Sequence, residues 1–451
     1  MAGAAFAHLM PAITDATLAN RKYLNLLQAL RARRDGALTV DALPFDITIN
    51  ASTGCNLSCP YCEVGKGDLL RPAGLLKKSH HDSIMAPLLD TLFIARYFGT
   101  GESLLNPHLP EMIALSHDSG VYSVISTNLS IKIDDAYIDR MLDSGLTLLS
   151  VACDGASRET YEKYRVGGDF DLVQNNMRRF IERKRERGLQ YPLIEWRFLV
   201  FSHNEHEVDT AREMAKTLGV DIIDFYFGVT PRDEERQING DAKAINRSLT
   251  PATSGPGIDA AVRRKDTPFR TLPNPAPKPG TPVLSHQPGG KCDWLYFAAY
   301  LYPKGEVAPC CHPGGPEQDM GIAQHGVDGV WNSSAYQNAR AYMKDSSQPC
   351  SALCVECPMP KSKDRQFNHV LSAIFRNAPL WFLKVIALDG DRWLHPLDRI
   401  YLTQELGRID ANRDFLAAQD CSDFLVWLQE NMPTDSDLLF ECLAGTMPPS
   451  P

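Results

Sequence analysis

The sequence has no apolar stretch long enough to span a membrane, which excludes a helical membrane-spanning fold. Its opening, MAGAAFAHLMPAITD, lacks the basic start and long apolar run of a secretory signal. Positive charge is also short: 46 Lys and Arg stand against 55 Asp and Glu, a net of -9. No overall field then draws a phosphate backbone, so neither nucleic acid nor a membrane is an expected partner. The one basic run, Arg178, Arg179, Arg183, Lys184, Arg185 and Arg187, lies on a helical pattern and reads as a solvated helix face. No strand-GxGxG-helix segment opens the chain, which excludes a classical methyltransferase, and no internal repeat is present.

What is there is a chain of 451 residues, 44% hydrophobic, enough for one large domain and one or two smaller ones. Residues 17–34 read as an amphipathic helix with Leu18, Tyr23, Leu26, Leu27 and Leu30 on its apolar stripe. Six strand candidates follow: Phe45–Asn50, Leu92–Phe98, Tyr122–Thr127, Leu148–Cys153, Ile194–Phe201 and Ile222–Phe227. Helical patterns at 134–144, 171–187 and 205–218 separate most of them, which implies a parallel α/β sheet, open or curled as a partial barrel. From 231 to 290 prolines and glycines punctuate a linker or long loop. A Cys-rich unit occupies 291–360, and 361–451 reads as helical, with Phe367, Val370, Leu371, Ile374 and Phe375 at helix spacing and a frayed Met447-Pro448-Pro449 ending. The expected units are therefore a 1–44 helical extension, a 45–230 barrel, the linker, the 291–360 Cys-rich domain and the C-terminal helical extension.

Six of the twelve cysteines fall in two C-x3-C-x2-C triplets, a grouping that suits metal or sulfide ligation in a reducing, cytoplasmic setting better than a disulfide framework. The first triplet, Cys55, Cys59 and Cys62, directly follows the first strand. Three thiolates on one loop can hold three irons of a [4Fe–4S] cluster and leave the fourth open to a small molecule. A zinc knuckle or three buried thiols is the alternative, but structural zinc wants a fourth ligand and none lies nearby in sequence.

Further segments fall at strand ends. Gly99-Thr100-Gly101-Glu102-Ser103 follows the second strand, and Ser126-Thr127-Asn128 ends the third. Cys153-Asp154-Gly155 ends the fourth and leads to Thr160-Tyr161, Tyr164-Arg165 and Gly167-Gly168. Together with the triplet and Tyr61, these resemble the motifs of the radical S-adenosylmethionine (radical SAM) superfamily. The resemblance implies a partial (β/α)6 TIM-like barrel. It also implies that Glu102 and the Gly99–Gly101 backbone, Thr100 included, meet the amino group of S-adenosylmethionine, that Asn128 and Asp154 belong to the cofactor site, and that Arg165 pairs with the cofactor carboxylate as a guanidinium suits. Arg197, on the fifth strand, is a further candidate for a cofactor or substrate contact. The chain departs from the family pattern at Thr100, Ser103, Leu129 and Ala152, where Gly, Pro, Gly and Ser are commoner.

The second cysteine group, Cys292, Cys310-Cys311, Cys350, Cys354 and Cys357, resembles the shortened SPASM (twitch) domain, which holds one auxiliary [4Fe–4S] cluster. By position Cys292, Cys310, Cys354 and Cys357 are its expected ligands, with Cys350 in reserve; a zinc ribbon is the alternative. The resemblance implies that the reduced cluster cleaves S-adenosylmethionine to a 5′-deoxyadenosyl radical, which abstracts hydrogen from substrate. The auxiliary cluster would then accept or relay an electron, with a flavodoxin or ferredoxin as the external donor. Two substrates are expected: a small polar metabolite of aminocyclitol or sugar type undergoing oxidation, or a ribosomal peptide undergoing cross-linking, thioether formation or epimerisation. Only 44 residues precede the first strand candidate, too few for a leader-binding winged-helix domain, which disfavours the peptide. Epimerisation would need a hydrogen-atom donor, for which Cys153 and Cys311 stand as candidates against a buried structural role. A reading of another class is a non-catalytic iron–sulfur or zinc scaffold that senses redox state.

Overall fold

The strands are mostly apolar because helices cover their outer face, and their charged residues fall on the inner one. Six of them, in a computed structural model, form the parallel wall of a partial barrel: β1 (Asp46–Ile49), β2 (Ile94–Arg96), β3 (Tyr122–Thr127), β4 (Leu148–Ala152), β5 (Leu193–Val200) and β6 (Ile222–Phe227). The structure describes residues 13–67, 70–227, 250–251, 292–311, 314–324, 326–350, 354–355, 357, 367–432 and 436–444. Apart from 250–251, the expected linker lies outside the described residues, as does the Met447-Pro448-Pro449 ending.

Helices return the chain between strands. Among them are α1 (Ala16–Asp35), which precedes β1, α2 (Asp135–Asp143) between β3 and β4, α3 (Arg158–Tyr164) and α4 (Phe170–Glu186) between β4 and β5, and α5 (Val208–Leu218) before β6. The Asp15 side chain caps α1 by accepting from Leu18 N at 2.8 Å, and Gly36 ends it at φ 63°, a left-handed turn that glycine takes without steric cost. The basic run is only in part a solvated face: Arg178, Arg185 and Arg187 are exposed, but four of its six charges are paired. Arg179 meets Asp135 at 2.6 Å and Lys184 meets Asp221 at 2.7 Å, while Arg183 pairs with Asp139 and Arg187 with Asp143. The aspartates recur every four residues along α2, so the two helices are zipped by complementary charge.

The Cys-rich unit does not sit apart from the sheet. Its first strand, β7 (Ala298–Leu301), runs parallel to β1 in the register Asp46↔Ala298 to Ile49↔Leu301, and β8 (Glu306–Ala308) and β9 (Gly321–Ile322) continue antiparallel beyond it. The C-terminal region is helical as expected, starting with α6 (Asn368–Arg376) and α7 (Leu380–Trp393), and it packs on α1. Tyr23 Oη donates to Ile374 O at 2.8 Å, Trp381 Nε1 donates to Asn20 Oδ1 at 2.8 Å, and buried Arg33 reaches both Asp293 and Asp398. One continuous apolar core therefore runs from α1 through the barrel wall into the C-terminal helices. No single helix among the described residues is long and apolar enough to cross a membrane.

Candidate active site at the strand ends

The loop that leaves β1 carries all three cysteines of the first triplet over the C-terminal ends of the strands, where parallel barrels keep their chemistry. Cys59 is buried, Cys55 is half-buried and Cys62 is exposed. Cys55 Sγ accepts from Leu57 N at 3.4 Å and from Asn128 Nδ2 at 3.7 Å. Burial pushes the Cys55 and Cys59 thiols up, while the Arg165 guanidinium pulls both down. Tyr61, Tyr164 and Phe201 wall the loop, with ring centroids 6.0 Å apart for Tyr61–Tyr164 and 4.6 Å for Tyr164–Phe201. All twelve cysteines are free thiols. Among the described residues no three His, Cys, Asp or Glu side chains close on a point fit for a single ion. Three thiols on one loop fit three irons of a four-iron cluster.

The Gly99–Glu102 segment docks on this loop. A Cβ at Gly99 would stand 2.2 Å from Tyr300 Oη, and one at Gly101, where φ is 82°, would stand 2.5 Å from Gly54 O. The close approach these glycines permit is thus, in the first place, to the protein's own backbone and side chains. Thr100 is held by Asn50, whose Oδ1 accepts from Thr100 N at 2.7 Å and from its hydroxyl at 2.9 Å. The Glu102 carboxylate, expected to face the cofactor amine, is largely spent on the protein. It accepts from Leu104 N at 3.0 Å, Thr127 Oγ1 at 2.7 Å and Asn128 N at 2.7 Å. Burial raises its pKa against those three donors. Asn128 stands between the two motifs, giving Nδ2 to Asn56 Oδ1 at 3.0 Å as well as to the Cys55 sulfur. Leu129, at the place where the family favours glycine, has φ 53°, the only non-glycine in the left-handed region among the described residues.

Arg165, expected to meet the cofactor carboxylate, pairs with Asp154, Nε donating to Oδ2 at 2.6 Å. Asp154 Oδ1 also accepts from Leu199 N at 2.7 Å, so the pair is fixed to β5. Burial works against the Arg165 charge, and Asp154 and Cys59 override it and hold the guanidinium protonated. Its two terminal nitrogens carry no hydrogen bond to a described residue and remain for an anion. Arg197 lies on the inner side of β5 over the Tyr226 ring, 4.6 Å from its centroid, and its charge acts on Glu195 and Asp224. Cys153, a candidate hydrogen-atom donor, is placed elsewhere: fully buried, 3.7 Å from Gln174 Nε2 on α4, on the helix side of the wall. Burial pushes its thiol far up, and the arrangement is that of a structural cysteine.

In the second group, Cys292, Cys310 and Cys354 lie close enough to act on one another, and all three act on the buried Tyr336 hydroxyl. Cys357 acts on Cys311, which also feels Arg96 of β2. Cys350 is half-buried against the core. Cys311 is exposed, unlike the buried Cys153.

Sequence reasoning missed Asn50 and Asn204. Asn204 Nδ2 donates to Asp154 O and Leu199 O, each at 2.9 Å, and its Oδ1 accepts from Phe201 N, which fixes the turn after β5 under the Arg165–Asp154 pair. Its place just after a strand end was the available signal.

Comparison with known proteins agrees with this geometry. The Radical SAM superfamily model matches residues 49–215, and the SPASM iron–sulfur cluster-binding domain matches 292–358. The chain is 26% identical over 216 residues to the Fe-coproporphyrin III synthase of Methanosarcina barkeri, covering 48% of this chain and 50% of that one. It is 28% identical over 189 residues to the AdoMet-dependent heme synthase of the same organism, covering 41% and 51%. The chain thus spans about half the length of these curated relatives. Streptococcus suis SuiB bound to S-adenosylmethionine superposes with a TM-score of 0.48 at 12% identity, over 71% of this chain and 72% of that one. With a [4Fe–4S] cluster and S-adenosylmethionine as the cofactors of its barrel and an auxiliary iron–sulfur site in its second domain, the chain belongs to the radical SAM superfamily, in the branch that carries a SPASM domain.

Proposed function

We propose that the chain is a radical SAM oxidoreductase acting on a small polar metabolite of aminocyclitol or sugar type, assisted by one auxiliary [4Fe–4S] cluster. The observation that carries this reading is the convergence at the ends of β1 to β4. There Asn128 donates to Cys55, and the Arg165–Asp154 pair lies in the field of Cys59. When bound, the cluster and S-adenosylmethionine supply one-electron cleavage of the sulfonium and a radical that removes a hydrogen atom from substrate. The protein's residues do the rest. Cys55, Cys59 and Cys62 would hold the cluster, and the Arg165 terminal nitrogens would orient a carboxylate by two-point contact. Tyr61, Tyr164 and Phe201 keep water from the loop. Glu102 acts as a clamp that fixes the ends of β2 and β3 relative to each other, so the amine contact falls mainly to the Gly99–Gly101 backbone. Cys292, Cys310, Cys354 and Cys357, with Cys350 in reserve, would hold the auxiliary cluster.

A peptide substrate is the second reading, supported by similarity to the PqqA peptide cyclase of Granulibacter bethesdensis, 24% identical over 39% of this chain. The charged inner face of the barrel favours the polar metabolite. The test is iron per chain and 5′-deoxyadenosine release after anaerobic reconstitution, in the wild type and in a Cys55/Cys59/Cys62→Ala variant. About eight irons falling to about four, with release abolished, is expected for two four-iron clusters. About four irons falling to none would remove the auxiliary cluster from the reading. No 5′-deoxyadenosine from the reduced wild type would leave the redox-sensing scaffold.

A further inference from the structure

The inner face of the barrel carries charge that the cofactor machinery does not use. Strand alternation puts Asp46 and Arg96 on this face, where Arg96 grips Asp46 with Nε at 3.0 Å and Nη2 at 2.6 Å. On the opposite wall Ser150 of β4 stands beside Glu195 of β5, and Arg197 stands beside Asp224 of β6. By register Tyr122 of β3 shares this face, and the charges of Glu195 and Arg96 both act on its hydroxyl.

On that face one group is out of balance. Asp46 has Arg96 to itself, whereas Arg197 is shared: it favours the anions of both Asp224 and Glu195, and burial opposes both. Glu195 is the third carboxylate against two guanidiniums, and it is 0% exposed. Neither of its oxygens makes a hydrogen bond of good geometry to a described residue; burial raises its pKa, and the nearby Ser150 hydroxyl and the Arg197 charge only partly offset that. A buried polar atom left without a partner is costly, native folds keep few, and each calls for an explanation. A structural carboxylate would have been given donors, as Glu102 was. An acceptor-only carboxylate beside a hydroxyl that can donate or accept is the donor–acceptor pattern complementary to an ammonium flanked by a hydroxyl.

We infer that Glu195 and Ser150 form a substrate subsite that binds the ammonium group and a neighbouring hydroxyl of an amino-polyol. This rests on the proposed function and narrows its substrate class from polar to amine-bearing. Glu195 sets specificity by charge, and Ser150 positions the adjacent hydroxyl. An anionic group at this position would meet a carboxylate with only a shared guanidinium to offset it, and be rejected.

The test uses the full chain after anaerobic reconstitution, as wild type, Glu195→Gln and Ser150→Ala. Thermal melting is followed with excess streptamine or glucosamine as amine probes, and with myo-inositol or glucose as hydroxyl-only probes. The amines are expected to raise the melting temperature of the wild type more than the hydroxyl-only probes do. Glu195→Gln is expected to weaken amine binding on the order of tenfold or more, the size of a lost charge-assisted contact. Without a probe its melting temperature should be unchanged or higher, because the carboxylate is kept for a ligand. Affinity for S-adenosylmethionine should not change. Ser150→Ala should weaken the same probes by less. A lower probe-free melting temperature in Glu195→Gln with undiminished amine response overturns the inference. So does an equal response to both probe classes, no response to either amine, or a changed affinity for S-adenosylmethionine. Release of 5′-deoxyadenosine by the wild type without substrate reports the proposed function separately, so the two readings fail independently.

Discussion

Glu102 shows how one carboxylate can join three segments. It accepts from Leu104 N and the Thr127 hydroxyl on one oxygen and from Asn128 N on the other, all buried. Glu102→Ala would strand those donors, and a loss of roughly 2–4 kcal/mol is expected in anaerobic urea unfolding. Stability equal to wild type would refute the clamp. Arg165 differs, because only Nε is committed, to Asp154. Lysine keeps the charge but loses the planar fork, so Arg165→Lys should weaken S-adenosylmethionine binding by about 10–100-fold in calorimetric titration with little change in melting temperature. Binding unchanged by the substitution would separate Arg165 from the cofactor carboxylate.

Between elements, the α2–α4 zipper gives a pH signature. Hydrogen bonds from Arg179 and Arg183 hold the Asp135 and Asp139 carboxyls below their usual range. A carboxylate depressed in the folded state stabilises at pH above its unfolded value, and that stabilisation fades as pH falls through the folded value. The melting temperature should therefore drop with acidification below the ordinary carboxylate range, and Asp139→Asn should flatten part of that slope. A slope identical in the variant would exclude the pair. This zipper also marks where sequence reading stops. The basic run was visible, but its partners lie about forty residues away on α2, and charge spacing on one helix does not say what faces it. The strands were legible because apolar runs of strand length alternate with helical patterns: β3 and β6 fall on the expected residues and the other four within two residues at either end. The cysteine loop and the Asp154 to Arg165 segment were legible because covalent spacing constrains them, though the pairing of Asp154 with Arg165 was not. Glu102's donors, the outward turn of Cys153 and the joining of β7 to β1 were not, since each is decided by contacts remote in sequence.

The whole molecule is tied at its base by Arg33. It leaves α1 and reaches Asp293, next to Cys292 at the start of the SPASM segment, and Asp398 in the C-terminal helices. Burial disfavours its charge, but Asp398 and Asp293 reverse that and hold it protonated. The sequence units expected to be separate extensions are thereby one body, and the auxiliary cysteines depend on packing from both ends of the chain. Removing one partner of a buried ion pair leaves the other charge uncompensated, at about 3–5 kcal/mol. Arg33→Leu would strand two carboxylates, one of them beside an expected cluster ligand. The expected outcome is a lower melting temperature with iron falling from about eight toward about four per chain, while the first triplet keeps its cluster. Arg33→Lys should restore part of both, since it returns the charge without the two-armed reach. If Arg33→Leu loses stability yet keeps all its iron, the base tie is structural only, and the auxiliary site is held by the β7–β8 hairpin and the Tyr336 contact instead.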